Sequence, residues 1–268
     1  VLYLRVITAI FLAAYVGALL FLLPAKGFAL GIAPLLLLGG VEWCRLAGVK
    51  QPVGQLLYLV LLALLMAGCF YRPIMMQWLL PIALVWWLAV GWVLVGYPQR
   101  QPQWLLNKIG MLAVGPLLLV VPWFSLYLLR VQGQGEWLVL FLFLLIWGAD
   151  IGAYFSGRQW GRRKLLPAVS PGKSWEGVVG GNLMAILVAL SVAVATGKEG
   201  RDIGYYLLVG VFISLVSVVG DLAESLFKRR AGVKDSGKLL PGHGGVLDRI
   251  DSLTIAAPLF GLLMVGHW

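Results

Sequence analysis

The sequence predicts an all-α fold, a polytopic integral membrane protein of about nine transmembrane helices. Three observations carry this. The 268 residues are 61% hydrophobic and 12% charged, against roughly 25% charged residues in a soluble domain. Apolar runs of near-span length recur along the chain, and a bilayer helix needs about 20 such residues. The runs are continuous rather than alternating and are too long for barrel strands, which leaves helices as the structure that satisfies its own backbone in lipid.

Nine apolar segments follow in order: 6–23, 27–41, 55–70, 74–96, 109–129, 137–155, 177–196, 203–221 and 253–265. The first resembles a signal peptide, with Arg5 before an apolar run, but it is longer than a typical signal core and more spans follow. It is read as a retained helix. The second, third and ninth are short, and the ninth carries Pro258. The fourth and fifth contain Pro81, Pro116 and Pro122, tolerated in membrane helices where neighbours take up the freed carbonyls. Cys44 and Cys69 lie in or beside apolar runs without ligand-like spacing, so they read as packing residues.

The formal charge of +10 would suggest nucleic acid on a soluble protein. In a membrane protein it bears first on orientation. Alternating spans place sixteen Lys and Arg on one side and five on the other, the five being Lys26, Arg72, Arg130, Lys198 and Arg201. That split favours an odd number of spans and a cytoplasmic N-terminus. The bias resides in two charged loops, 156–176 and 222–252, which are separated by two spans and therefore share a side. A single membrane domain covers 1–268, with 1–136 as helical scaffold and 137–268 as the functional half.

Three charged clusters lie in that half. In "WGADIGAYFSGRQWGRRK", Asp150 sits within an apolar run, where a carboxylate is costly and marks a functional candidate. In "SPGKSWEG", Gly172, Lys173 and Ser174 resemble the end of a P-loop, but Pro167 stands where its first glycine belongs. What remains is a Pro-Gly turn and a lysine before a helix N-terminus, a place that suits anions. The third, "GDLAESLFKRRAGVKDSGKLLPGHGGVLDRIDS", holds five of the eleven carboxylates and six basic residues. Asp221, Glu224 and Ser225 share a helix face by their spacing, as do Asp248 and Asp251. Carboxylates interleaved with cations at a membrane face suggest a divalent metal with phosphates, and Mg²⁺ takes one or two carboxylates plus phosphate oxygens. A solvated, salt-bridged loop is the plainer reading of the same residues.

The run from Ser225 to Ser252, with Lys228, Arg229, Lys234, Asp235, Pro241, His243, Gly244, Gly245, Asp248, Arg249 and Asp251, closely resembles the signature of phosphatidate cytidylyltransferases, also called CDP-diacylglycerol synthases. "SPGKSWEG" and "ADIGAYFSGRQWG" resemble two further segments of that family, while the N-terminal half resembles it only in general character. The resemblance implies transfer of a cytidylyl group from CTP to phosphatidic acid, with Mg²⁺, in the inner membrane of a bacterium, by a homodimer among membrane lipids. On this reading Asp221, Asp248, Lys228, Lys234 and Arg249 carry the chemistry. Ser170, Lys173, Ser225, Asp235, His243, Gly244, Gly245 and Asp251 bind substrate. Asp221 and Asp248 hold the metal, with Asp150 and Glu224 as further candidates. Another lipid phosphotransferase or kinase, or an ion-coupled transporter, is the alternative. A transporter would often show two related halves, whereas here the charge is confined to the C-terminal half.

Overall fold

Backbone groups in lipid must bond to one another, and in the computed structural model the apolar runs do so as helices. The structure describes residues 2–242 and 244–268; His243, expected at phosphate, lies outside the described residues. The helices are α1 (Leu2–Leu22), α2 (Ala25–Leu46), α3 (Pro52–Tyr71), α4 (Met75–Val95), the single turn α5 (Gln103–Leu106), α6 (Lys108–Val131), α7 (Gly135–Trp160), α8 (Trp175–Ala195), α9 (Arg201–Arg230) and α10 (Leu247–Met264). The nine long ones coincide with the nine apolar segments. Among the described residues, seven of them (α2, α3, α4, α6, α7, α8 and α9) are long and apolar enough to cross a membrane.

The all-α membrane fold is borne out, with one small addition and two corrected boundaries. β1 (Lys164–Leu166) and β2 (Ser170–Ser174) form an antiparallel hairpin between α7 and α8. The strands are three and five residues long, too short for an alternating pattern to stand out. The second segment, read as short, is a 22-residue helix. The eighth does not end at Asp221 but continues to Arg230. Leu222, Ala223, Leu226 and Phe227 are buried along this extension, a helical stripe that carries Glu224, Ser225 and Lys228 on rigid backbone rather than on a loop.

Helix α6 lies at the centre of the bundle, against α2, α3, α4, α7 and α10. Pro116 has no N–H, so the carbonyl of Leu112 loses its usual helical partner. The Tyr58 hydroxyl of α3 donates to that carbonyl at 2.9 Å. Gly115 makes the approach possible, because a Cβ there would overlap the Tyr58 oxygen. The Trp43 indole of α2 donates to Met111 O at 2.6 Å on the same helix. Elsewhere α7 and α8 pack closely through small residues. A Cβ on Gly152 would strike the Gly180 carbonyl, and one on Gly180 would strike the Ser156 side chain. This close contact fixes the hairpin at the end of the α7–α8 pair.

Candidate active site

The hairpin is tied down at both ends. The Ser174 hydroxyl caps α8 by accepting from Gly177 N at 3.1 Å. The Glu176 carboxylate accepts from Arg162 N and Arg163 N at 3.1–3.2 Å. Across the gap, Arg229 Nε of α9 donates to Val169 O at 3.2 Å. Lys173, held between these anchors, reaches Asp221 of α9 with Nζ 2.6 Å from Oδ2. The two charged segments therefore converge on one end of the bundle, as expected from the two spans between them.

Asp221 accepts weakly from Ser225 Oγ, at 3.4 Å. Asp150, Asp221 and Asp251 lie within electrostatic reach of one another, with Lys173 among them and Arg249 facing Asp150. Three helices, α7, α9 and α10, thus bring one carboxylate each to a shared polar region.

Asp248 stands in the first turn of α10 beside a second group. Its Oδ1 is 2.6 Å from Lys228 Nζ, and Lys228 also meets Glu224 Oε2 at 2.9 Å. Its Oδ2 accepts from Ser236 N, Ser236 Oγ and Gly245 N at 2.8–2.9 Å. Glu224 is buried, and its Oε1 has no hydrogen-bond partner among the described residues. Asp221 and Asp248, expected to share an ion, thus take different partners, a lysine each. Among the described residues, no three His, Cys, Asp or Glu side chains converge as a ready-made metal cage.

The remaining predicted residues are placed as follows. Ser170 begins β2, opposite Leu166. Lys234 and Asp235 are exposed on the loop before α10. Gly244 has φ +84°, a conformation that favours glycine, and its missing Cβ faces the Asp248 carboxylate at 2.7 Å. Gly245 is buried, and a Cβ there would overlap Ser236 Oγ and the carboxylate of Glu42. These glycines let the loop close onto protein carboxylates.

A cavity of about 410 Å³ opens beside the carboxylates. Its walls are apolar side chains of α1, α2, α6 and α7, among them Leu12, Val16, Leu36, Phe143 and Ile146. Its polar end is formed by Asp150, Asp248, Arg249 and Asp251. Such a space accepts an amphiphile with its charged group toward the carboxylates and cations.

Glu42 and Ser236 were missed in the sequence. Glu42 lies in α2, 2% exposed, with its carboxylate on Ser236 Oγ, Val246 N and Leu247 N. A signal existed, because a carboxylate inside an apolar run is the feature that singled out Asp150. Ending the second segment at 41 moved Glu42 into a loop, where an acid attracts no notice.

The family model described as the cytidylyltransferase family matches residues 3–266. A phosphatidate cytidylyltransferase of Pseudomonas aeruginosa is 44% identical over 265 residues, which covers 98% of this chain and 97% of the relative. One from Haemophilus influenzae is 40% identical, covering 96% of each chain. One from Staphylococcus epidermidis is 36% identical over 192 residues, 70% of this chain and 72% of the relative.

Proposed function

The chain belongs to the cytidylyltransferase family, and from that premise we infer that it transfers the cytidylyl group of CTP to phosphatidic acid. A phosphate oxygen of the lipid forms a bond to the α-phosphorus of CTP. The bond from that phosphorus to the bridging oxygen breaks, and pyrophosphate leaves with the electron pair. The product is CDP-diacylglycerol. The observation that carries this reading is the amphiphilic cavity, apolar along α1, α2, α6 and α7 and charged at the end formed by Asp150 of α7 and Asp248, Arg249 and Asp251 of α10.

Both substrates are anionic, so their approach is opposed by charge. Fixed cations aimed at the phosphates offset this without reorganisation. Lys173 and Lys228 are each held by carboxylates, at 2.6–2.9 Å. These pairs keep the ammonium groups in place, and phosphate oxygens can take over contacts that the carboxylates now make. Arg249, at the polar end of the cavity, faces the lipid phosphate. Lys234, exposed on the loop, meets the nucleotide from the aqueous side. Ser170, Ser225, Asp235, Gly244 and Gly245 complete the binding surface in this reading, and the resemblance assigns His243 to phosphate as well. The acyl chains stay between the helices, and the site orients the two phosphates for in-line attack.

The donor set suits Mg²⁺, which keeps several waters and needs only one or two carboxylates beside substrate phosphates. Asp221 fits best, since its second oxygen holds only a long contact to Ser225. Asp150 and Asp251 are its acidic neighbours. Asp248 would join as a ligand by exchanging Lys228 on Oδ1. Held by these residues, Mg²⁺ would supply charge neutralisation at the phosphates and polarisation of the α-phosphoryl group.

The full reading is a nine-span homodimer in a bacterial inner membrane, with the site facing the cytoplasm. The orientation is supported by the sixteen basic residues assigned to the side of the charged segments, the side from which CTP arrives in this reading. Purified protein in detergent, given labelled CTP, phosphatidic acid and Mg²⁺, should form labelled CDP-diacylglycerol and release pyrophosphate. Label retained in CTP or its free breakdown products alone would refute cytidylyl transfer. Transfer of the γ-phosphate to a lipid alcohol would support the kinase alternative.

A further inference from the structure

Glu42 is a buried carboxylate contributed by the N-terminal scaffold to a loop some two hundred residues later. Burying such a group is costly unless hydrogen bonds compensate. Here two amides do, Val246 N donating to Oε1 at 3.1 Å and Leu247 N to Oε2 at 2.8 Å, and Ser236 Oγ, whose one proton is shared between Glu42 and Asp248, lies 3.0 Å from Oε2. Val246 is the N-cap residue of α10 and supplies no side-chain cap. The cap comes instead from α2, with a negative group at the positive end of the helix dipole.

The same atoms determine where Asp248 points. All three donors to Asp248 Oδ2 belong to Ser236 or Gly245. Ser236 Oγ lies between Glu42 Oε2 and Asp248 Oδ2, at 3.0 and 2.9 Å. Gly245 immediately precedes the two amides that Glu42 holds. Room for this arrangement is made by glycine, because a Cβ on Gly237 or Gly245 would run into the Glu42 carboxylate.

We propose that Glu42 is a positioning residue for cytidylyl transfer: it holds the 245–247 turn and Ser236, and through them aims the Asp248 carboxylate into the site. The inference rests on the transfer reading above. It concerns a residue outside the charged segments, acting through main-chain amides and one hydroxyl rather than on substrate.

Glu42→Gln is the informative variant. Its shape is unchanged, but its NH₂ must face an N–H donor in either orientation, Val246 on one side or Leu247 on the other. A turn that loses one anchor lets Asp248 wander, while Lys173 stays on Asp221 and Lys228 keeps its Glu224 partner. The expected result is a kcat reduced about 10- to 100-fold with the KM for CTP within about twofold, since an interaction needed in the transition state is lost. Amide hydrogen exchange at Val246 and Leu247 should quicken. Ser236→Ala, on the loop, should also lower kcat. The Glu42→Gln/Ser236→Ala double variant should lose less than the product of the two single losses, because both act along one route.

Activities are taken per monodisperse molecule, so a variant that only folds poorly is separated from one that works poorly. The proposal is overturned if Glu42→Gln keeps its kcat, if the double variant shows the full product, or if exchange at Val246 and Leu247 is unchanged. A wild-type protein that transfers no cytidylyl group would overturn the reaction instead. The exchange measurement would still decide whether Glu42 holds the turn.

Discussion

Single side chains in the polar region carry distinct tasks, and substitutions should separate them. Asp248→Asn keeps the shape of the group but removes the charge that faces Lys228 at 2.6 Å and the capacity to bind a cation. Turnover should fall by orders of magnitude while the protein stays monodisperse, checked by labelled-CTP assay beside size exclusion. Lys173→Ala removes the ammonium that Asp221 holds and leaves the carboxylates in place. A charge-assisted phosphate contact is worth about 1.5–3 kcal/mol, so kcat/KM should drop roughly 10- to 150-fold, with part of the loss in the KM for CTP. Arg45→Ala, at the exposed end of α2, should change turnover little. Residues of this kind were the legible ones. Charge within a greasy chain is conspicuous, and Asp150, Asp221, Asp248 and Asp251 all stand at the polar end that the helices assemble. Their pairing was not legible, because which lysine meets which carboxylate depends on how α8, α9 and α10 cross.

At the scale of elements, the tight α7–α8 contact positions the hairpin, and the hairpin positions Lys173. Gly180→Ala would push a methyl into the Ser156 side chain, and overpacking of this sort costs about 1–3 kcal/mol. Thermal stability should fall, and activity should fall with it as the hairpin shifts from Asp221. Ser156→Gly removes the nearer obstruction and leaves the Gly152 carbonyl 2.8 Å from the new methyl, so the Gly180→Ala/Ser156→Gly pair should regain part of both; a double variant as impaired as Gly180→Ala alone would show that the loss does not run through Ser156. Helix positions were readable because an apolar run of span length has few other options in lipid. Helix ends were less so. The extension of α9 beyond Asp221 loses its apolar continuity while keeping a buried stripe through Phe227, and a window that looks for unbroken apolarity stops at the first carboxylate. The hairpin escaped for the opposite reason, since strands this short have no period to detect.

The whole molecule joins an almost uncharged scaffold to a charged half, and the division at 136 that the sequence suggests is crossed by contacts the sequence does not display. Glu42 of α2 caps α10, the Thr8 hydroxyl of α1 donates to Pro241 O at 3.0 Å, and α1 and α2 wall the cavity whose end is catalytic in our reading. The scaffold therefore shapes the site as well as supporting it. Orientation in the membrane is the property of the whole chain that remains to be measured. Helices α8 and α9 are consecutive and packed together, so the hairpin before α8 and the loop after α9 lie at one end of the pair, while the α8–α9 connection lies at the other. If CTP is to reach the carboxylates, the hairpin end must face the cytoplasm. Cys44 and Cys69 are both fully buried, so a membrane-impermeant maleimide should leave the parent protein unlabelled. Lys164→Cys on β1 and Lys238→Cys on the loop before α10 are exposed and serve as reporters for one end, and Glu199→Cys in the α8–α9 connection for the other. In intact cells with a permeabilised outer barrier, Glu199→Cys should label while Lys164→Cys and Lys238→Cys stay silent until the inner membrane is opened. Labelling of Lys164→Cys and Lys238→Cys from outside would place the site away from its nucleotide and defeat the cytoplasmic orientation. Opposite results for those two reporters would contradict the convergence of the hairpin and the loop on one face, which the Lys173–Asp221 pair requires.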